Sequence, residues 1–432
     1  MKGGNFKIVV LVIFIVAAVF GVVVFAGLIK IGDKDNTAGS QGTVVLWGTE
    51  KSGDIARALE SFNKANPAFI VKYVQKDPET FDRDLLEALA SGEGPDIFFI
   101  TNDLAYKYSN KIFTIPYASY PLASFKGTFA SAGEVFLTSE GVLAFPITID
   151  PLILYYNRSM LDSNGIIYPP ADWSQLGEMV PTLTRKDSLN KIAKSAVALG
   201  QFVNVDNAKN ILATLFMQAG NSIISEKNGI FSSALDDYNQ SSDLSSILKF
   251  YTSFSDPLNS LYSWNRSLQN SQAAFSAEDL AFYFGYAGEF QSLVKKNPNQ
   301  NFLVAPMPQI KNANFKLTEA QVKGIAISSF SKNFGAAFTA ASLLATGDFV
   351  VKYVEATGAV PARRDLLAKK QTDAFSPIFY ASALYARSWL DPSADDSDDI
   401  FRNMIEKVLS NSLSPREAVE DASGKLDLLL AR

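Results

Sequence analysis

Three short apolar runs alternate with two amphipathic segments near the start of the polar part of the chain, and this alternation constrains the fold more than any other feature. The apolar runs predict buried strands at 43–48, 69–74 and 95–100. Apolar residues at three- and four-residue spacing predict helices at 54–66 and 77–90. Strand, helix, strand, helix, strand is the order of an α/β fold built on a parallel sheet.

Ligands of such sheets bind outside the carboxyl ends of the strands. Trp47, Thr49 and Glu50 end the first predicted strand, and Asn102 and Asp103 follow the third. We therefore expect these five residues to contribute to a ligand site. The two carboxylates are suited to accept hydrogen bonds from ligand hydroxyl groups.

The chain contains no cysteine and no histidine. It therefore lacks the parts for disulfides, His-based triads, cysteine nucleophiles and His or Cys metal sites, and we expect no metal and no cofactor. The net charge is −5, so no basic surface is expected to attract nucleic acid. A glycosidase working with two carboxylates stays open, because that chemistry needs only Asp or Glu.

Residues 8–29 form an unbroken apolar run of 22 residues, flanked by Lys7 and Lys30. At about 1.5 Å per residue this length spans the roughly 30 Å hydrocarbon core of a bilayer. We predict one N-terminal transmembrane helix within residues 1–30, with the N-terminus in the cytoplasm. Residues 31–42 would be a flexible linker to an extracytoplasmic binding domain. A cleaved signal peptide is the alternative.

Several motifs occur in a fixed order along the rest of the chain. They are Phe62-Asn63-Lys64-Ala65-Asn66-Pro67, Gly94-Pro95-Asp96-Ile97, Leu154-Tyr155-Tyr156-Asn157-Arg158, Pro169-Pro170-Ala171-Asp172-Trp173, Gln218-Ala219-Gly220, Gly358-Ala359-Val360-Pro361 and Leu413-Ser414-Pro415-Arg416-Glu417-Ala418. This ordered set resembles the extracellular solute-binding proteins of the maltose-binding type, from residue 43 to the end. Asp172 stands where that family usually has Thr.

The resemblance implies a two-lobe periplasmic-binding-protein-like fold with a hinge and a cleft between the lobes. We expect lobe 1 to contain residues 43–149 and 278–330, and lobe 2 to contain residues 150–277 and 331–432. The resemblance also implies a monomer that binds a sugar or polyol, closes around this ligand, and delivers it to the permease subunits of an ABC importer. A sensory or scaffold protein of the same fold, without a transport role, is the alternative.

The resemblance adds site residues at the chain crossings. Asp150 lies at the first crossing, where the family commonly presents a ligand contact, and Tyr286 follows Gly285 at the second. Trp264 and Trp389 offer aromatic faces for sugar C–H groups. Arg363, after Pro361, is either a cleft residue or a surface charge at a helix start.

The segment from Asp391 to Asp399 contains five aspartates. A calcium loop of the EF-hand type would need glycine where this chain has Ile400. We interpret the segment as a solvated acidic loop in front of a helix that starts at Ile400, and a calcium site in this loop is the alternative. We expect Trp173 to anchor the start of its own helix by packing.

Overall fold

The computed structural model describes residues 42–236 and 243–431. The predicted transmembrane run and nearly all of the linker lie outside these residues. Among the described helices, none alone has the length and apolar composition of a membrane span, and Phe334–Thr346 with Asp348–Thr357 meet that test only as a pair with a 61° bend.

The strands follow one another from the first described residue to the last quarter of the chain. They are β1 (Gly42–Gly48), β2 (Phe69–Gln75), β3 (Ile97–Thr101), β4 (Ile115–Pro116), β5 (Gly141–Val142), β6 (Ala144–Asn157), β7 (Arg185–Lys186), β8 (Ile192–Val197), β9 (Ile224–Lys227), β10 (Ile230–Ser233), β11 (Leu280–Tyr286), β12 (Phe302–Ala305), β13 (Thr318–Ile327) and β14 (Ala386–Arg387).

The helices lie between and after these strands. They are α1 (Ser52–Ala65), α2 (Phe81–Ser91), α3 (Asn102–Ala105), α4 (Leu122–Thr128), α5 (Arg158–Ser163), α6 (Trp173–Leu183), α7 (Ala208–Gln218), α8 (Leu244–Ser253), α9 (Ser271–Ser276), α10 (Phe290–Lys296), α11 (Phe334–Thr346), α12 (Asp348–Thr357), α13 (Arg364–Leu367), α14 (Ser376–Tyr385), α15 (Ala394–Leu409) and α16 (Pro415–Leu430). Three 3₁₀ segments, Ser109–Lys111, Ser131–Phe136 and Ala287–Glu289, complete the described regular structure.

The first three strands form the parallel sheet that the sequence predicts. β1 pairs in parallel with both β2 and β3. Helix α1 buries Ile55, Ala58, Leu59 and Phe62, the apolar positions with helical spacing, and Gly92 ends helix α2 in the left-handed conformation. The α/β prediction for this region is confirmed.

Two long strands run through the middle of the main sheet, whose order is β2-β1-β3-β13-β6-β11-β8-β7. β6 pairs with β13 from Ala144 to Pro151, and with β11 and β12 from Leu152 to Asn157. We call the half of the sheet with β1, β2 and β3 lobe 1, and the half with β8, β11 and β12 lobe 2. The first expected crossing therefore lies in β6.

Strand pairing divides the rest of the chain differently from the expected boundaries. β11 pairs in parallel with β8, and β12 pairs with the second half of β6, so residues 280–305 lie in lobe 2 and not in lobe 1. The return to lobe 1 occurs within β13, where 323–327 pair with β3. Helix α12 then packs in lobe 1, with the Phe349 ring centroid 6.2 Å from that of Phe62.

The chain crosses to lobe 2 for the last time after β14. Helix α15 lies there, with the Phe401 and Phe216 ring centroids 6.4 Å apart. It starts at Ala394, earlier than the expected Ile400, because the Ser393 side chain caps it by accepting from the Asp396 backbone N–H. Part of the expected acidic loop is thus the first turn of this helix, where aspartates favour the helix dipole.

Candidate functional site

A cavity of about 310 Å³ opens where β6 and β13 pass between the lobes. Its walls come from the ends of β1, β3 and β11, from both crossing strands, and from helices α10, α12 and α14. The charged and polar residues that line it are Glu50, Thr101, Thr148, Asp150, Gln291, Gln321, Lys323, Tyr353 and Thr357. This position at the carboxyl ends of strands is the one expected for a ligand in an α/β sheet.

Glu50 lines the cavity, but its carboxylate is already engaged by protein groups. Oε1 accepts from Lys323 Nζ at 2.5 Å and from Tyr353 Oη at 3.1 Å, and the Glu50 carbonyl accepts from Tyr73 Oη at 2.8 Å. The Glu50 side chain is only 8% exposed, whereas that of Lys323 is 30% exposed. Glu50 therefore holds the Lys323 ammonium group at the cavity wall.

Asp150 lies on β6 at the crossing, on the same face as Thr148. Its Oδ1 accepts from the Gly288 backbone N–H at 2.9 Å, which joins the hinge strand to the loop after β11. Burial, helped by the nearby Glu289 carboxylate, raises the pKa of Asp150 to about 7, although the Gly288 N–H and Lys323 both act to lower it.

Tyr286 ends β11 but its ring is buried beneath the cavity. Its hydroxyl donates to Glu319 Oε2 at 2.7 Å, and its backbone N–H donates to Glu289 Oε1 at 2.8 Å. Glu319 is fully buried on β13. Burial raises the pKa of Glu319 to about 8.

Asn102 and Asp103 lie in the short helix after β3, outside the cavity wall. The buried Asn102 amide donates to the Trp389 carbonyl at 3.2 Å and accepts from the Val322 N–H at 3.0 Å. These two hydrogen bonds link the end of β3 to β13 and to Trp389, which lies at the last crossing between the lobes. Asp103 accepts from Thr101 Oγ1.

Trp47 and Thr49 stand near the end of β1 and are partly buried. The Lys76 ammonium group lies 3.6 Å from the centroid of the Trp47 ring, so a cation already covers that face. Neither residue lines the cavity.

The remaining candidates lie away from the cavity. Trp264 is 1% exposed within lobe 2, where its Nε1 donates to Asn204 Oδ1 at 3.1 Å. Arg363 donates to the Gly347 carbonyl at 3.0 Å and pairs with Asp365 at 2.6 Å, so it caps the carbonyl end of helix α11. Trp173 anchors helix α6 as expected, with Nε1 donating to Gln218 at 2.7 Å.

A buried ion-pair cluster joins helix α7 to helix α15 in lobe 2. Lys209 Nζ lies 2.8 Å from Asp391 Oδ2 and 2.6 Å from Asp398 Oδ1, and it also donates to Ser397 Oγ at 2.8 Å. Burial alone would lower the pKa of Lys209, but the two carboxylates outweigh it and raise that pKa. Asp391 is therefore buried and paired, not solvated. Over 42–236 and 243–431, no three His, Cys, Asp or Glu side chains are grouped to hold a metal ion.

Trp389 is buried beside this cluster and contributes to the wall of a second cavity of about 470 Å³. That cavity lies between the 3₁₀ segment Ser131–Phe136 of lobe 1 and the β9–β10 hairpin of lobe 2. It shares no lining residue with the first cavity.

Sequence reasoning missed Lys323, Gln321 and Tyr353 in the cavity wall. A signal for two of them exists, because Glu319, Gln321 and Lys323 alternate with Ala320 and Val322 along an otherwise apolar segment. Alternation of this kind points three polar side chains to one face of a strand. Tyr353 reaches the site from a distant helix and carries no such signal.

The sequence profile of the bacterial extracellular solute-binding proteins matches residues 57–376, most of the chain. The chain belongs to this bacterial extracellular solute-binding protein family. It is a family of binding proteins and not of enzymes, in agreement with the expectation from the sequence. Its extracellular character places the binding domain outside the cytoplasm. No curated protein matches the chain in sequence.

Solved structures share the fold at low identity. A cyclic α-maltosyl-1,6-maltose binding protein from Arthrobacter globiformis superimposes with a TM-score of 0.74 at 15% identity, covering 90% of this chain and 99% of that one. A cyclo/maltodextrin-binding protein complexed with maltotetraose gives 0.73 at 16% identity, with 90% and 98% covered. The sugar-binding protein MalE from Xanthomonas citri gives 0.72 at 17% identity, with 90% and 97% covered. The two-lobe fold is thereby confirmed.

Proposed function

We propose that the protein is the substrate-binding component of an ABC-type importer. We propose further that it binds a carbohydrate in the first cavity, the one at the crossing strands β6 and β13. The observation that carries the proposal is the cavity itself, which takes its walls from both lobes at the crossing strands. The solved structures that share the fold include binding proteins for maltodextrins and related sugars, which supports a carbohydrate as the ligand.

The cavity supplies the chemistry that a polyhydroxylated ligand requires. Lys323 offers an ammonium donor, Asp150 and Gln321 offer acceptors, and Phe290 offers an apolar ring. A ligand that contacts both lobes binds the closed form better than the open form, and this difference in affinity drives closure. The closed form is then the one presented to the permease subunits.

The test is thermal unfolding with a panel of mono- and oligosaccharides and polyols. A ligand at a thousand times its dissociation constant should stabilise the protein by about 4 kcal/mol. Lys323→Met should weaken the stabilisation, because the ligand loses its charged donor. Lys72→Met, which removes an exposed lysine from β2, is the matched control and should leave the stabilisation unchanged. Absence of stabilisation by every compound would contradict the proposal.

A further inference from the structure

Glu319 is a fully buried carboxyl group at the point where β13 passes between the lobes. Its Oε2 accepts from Tyr286 Oη of lobe 2 at 2.7 Å, while its Oε1 lacks a well-formed hydrogen bond. Its backbone N–H donates to Thr214 Oγ1 of helix α7 at 3.2 Å. The residue therefore joins the hinge strand to two separate elements of lobe 2.

Burial, and not the charged neighbours, disfavours the ionised form of Glu319, because the Lys209 ammonium group lowers its pKa more than the Asp150 carboxylate raises it. Lys209 faces it from helix α7, but that ammonium group is already bound by Asp391 and Asp398. Asp150 faces it from β6, and its charge raises the pKa of Glu319 further. Asn210 also faces it from helix α7 and lowers its pKa.

Tyr286 connects Glu319 to the wall of the cavity. It directly precedes Ala287 and Gly288, which line the cavity, and the Gly288 N–H donates to Asp150 at 2.9 Å. A neutral Glu319 accepts from the Tyr286 hydroxyl without placing a bare charge in an apolar interior. An ionised Glu319 would need water or a cation, which the packed hinge admits only by loosening.

We infer that Glu319 is a positioning residue that carries a proton at the joint between the lobes, and that loss of this proton weakens closure around the ligand. The inference rests on the proposed function. Ligand affinity should then be highest at pH values where Glu319 is neutral and should fall at higher pH. The raised pKa of Glu319, about 8 through burial, places the transition just above neutral pH.

The test is calorimetric titration of the full-length protein between pH 6 and pH 9.5, with the sugar that stabilises it most. Asp150, with a pKa of about 7, titrates below Glu319 and contributes equally in every variant, so the diagnostic signal is a fall in wild-type affinity of up to tenfold per pH unit above about pH 8. Glu319→Gln preserves the shape and cannot ionise, so it should lack this fall above pH 8. Glu93→Gln, at an exposed loop position, is the matched control and should follow the wild type. A wild-type profile without the fall, or a Glu319→Gln profile with the same fall, would overturn the inference.

A second measurement separates this inference from the proposed function. If no carbohydrate binds, the proposed function fails, and infrared difference spectroscopy of the ligand-free protein still tests the proton. The carbonyl stretch of a protonated carboxyl group should be present at pH 7 in the wild type and reduced in Glu319→Gln. An identical spectrum for the two proteins in this region would overturn the inference.

Discussion

Replacing Lys209 by methionine should be among the most destabilising single changes in lobe 2. The Lys209 and Asp391 side chains are 9% and 4% exposed, so the substitution leaves a buried carboxylate without its cation. Asp391 keeps only Ser397 Oγ at 2.8 Å and the Ser393 N–H at 3.1 Å. Removing one partner of a buried pair costs about 3–5 kcal/mol.

The assay is equilibrium unfolding in denaturant at pH 7. Lys209→Met should lower the free energy of unfolding by that amount, and the added substitution Asp391→Leu should restore most of the loss, because no buried unpaired charge then remains and Asp398, the other partner, is 46% exposed. Lys64→Met is the control: its pair with Glu60 is 76% and 66% exposed, so the loss should be within about 1 kcal/mol. A loss as small as the control's, or a double variant no better than the single one, would refute the reasoning.

Three further predictions concern pH, packing and the terminal segment. The raised pKa values of Asp150 and Glu319 mean that folding takes up protons, so the stability that these two groups contribute should be greatest below about pH 4. It should fall by up to about 1.4 kcal/mol per pH unit per group until about pH 7–8. Chemical unfolding of the Asp150→Asn/Glu319→Gln variant should show a flatter dependence of stability on pH. Trp264→Ala should lower the free energy of unfolding by about 3–5 kcal/mol, because it removes a fully buried ring, and a loss below 1 kcal/mol would show that the ring is not core. Deleting residues 1–41 should release the protein from the membrane fraction, and an unchanged distribution of the truncated and full-length proteins would contradict the predicted anchor.

The start of the fold could be predicted from the sequence because local patterns dictate it. The strands β1, β2 and β3 are short apolar runs, and helix α1 carries its apolar residues on one face. These patterns depend on neighbouring residues only, and the structure agrees with the predicted bounds within a few residues. The same holds for Trp173, whose place at a helix start indicated packing.

The lobe division could not be predicted in the same way. Which strand pairs with β11 depends on residues more than eighty positions apart, and an apolar run fits either lobe equally well. The motifs indicated that the chain crosses between lobes but not the residue at which it does so. For this reason helices α11 and α12 were expected in lobe 2, whereas the structure packs helix α12 in lobe 1.

The site was predicted only in part, because a polar residue after a strand has several uses. Glu50 and Asp150, two of the predicted site residues, line the candidate cavity, but the Glu50 carboxylate already accepts hydrogen bonds from Lys323 and Tyr353. Trp264 and Trp389 are large and apolar enough to be buried, and the structure buries both. A buried lysine such as Lys209 gives no sign in the sequence, since its partners come from a segment nearly two hundred residues away.

The central claim, a ligand that closes two lobes, is tested most directly by a distance measurement between them. The chain has no cysteine, so Asp54→Cys and Lys295→Cys place one spin label on an exposed position of each lobe. Pulsed electron–electron double resonance then gives the distance distribution without ligand and with a saturating sugar. We predict a shift to shorter distance with sugar. An unchanged distribution in the presence of a sugar that binds by calorimetry would contradict closure as the mechanism.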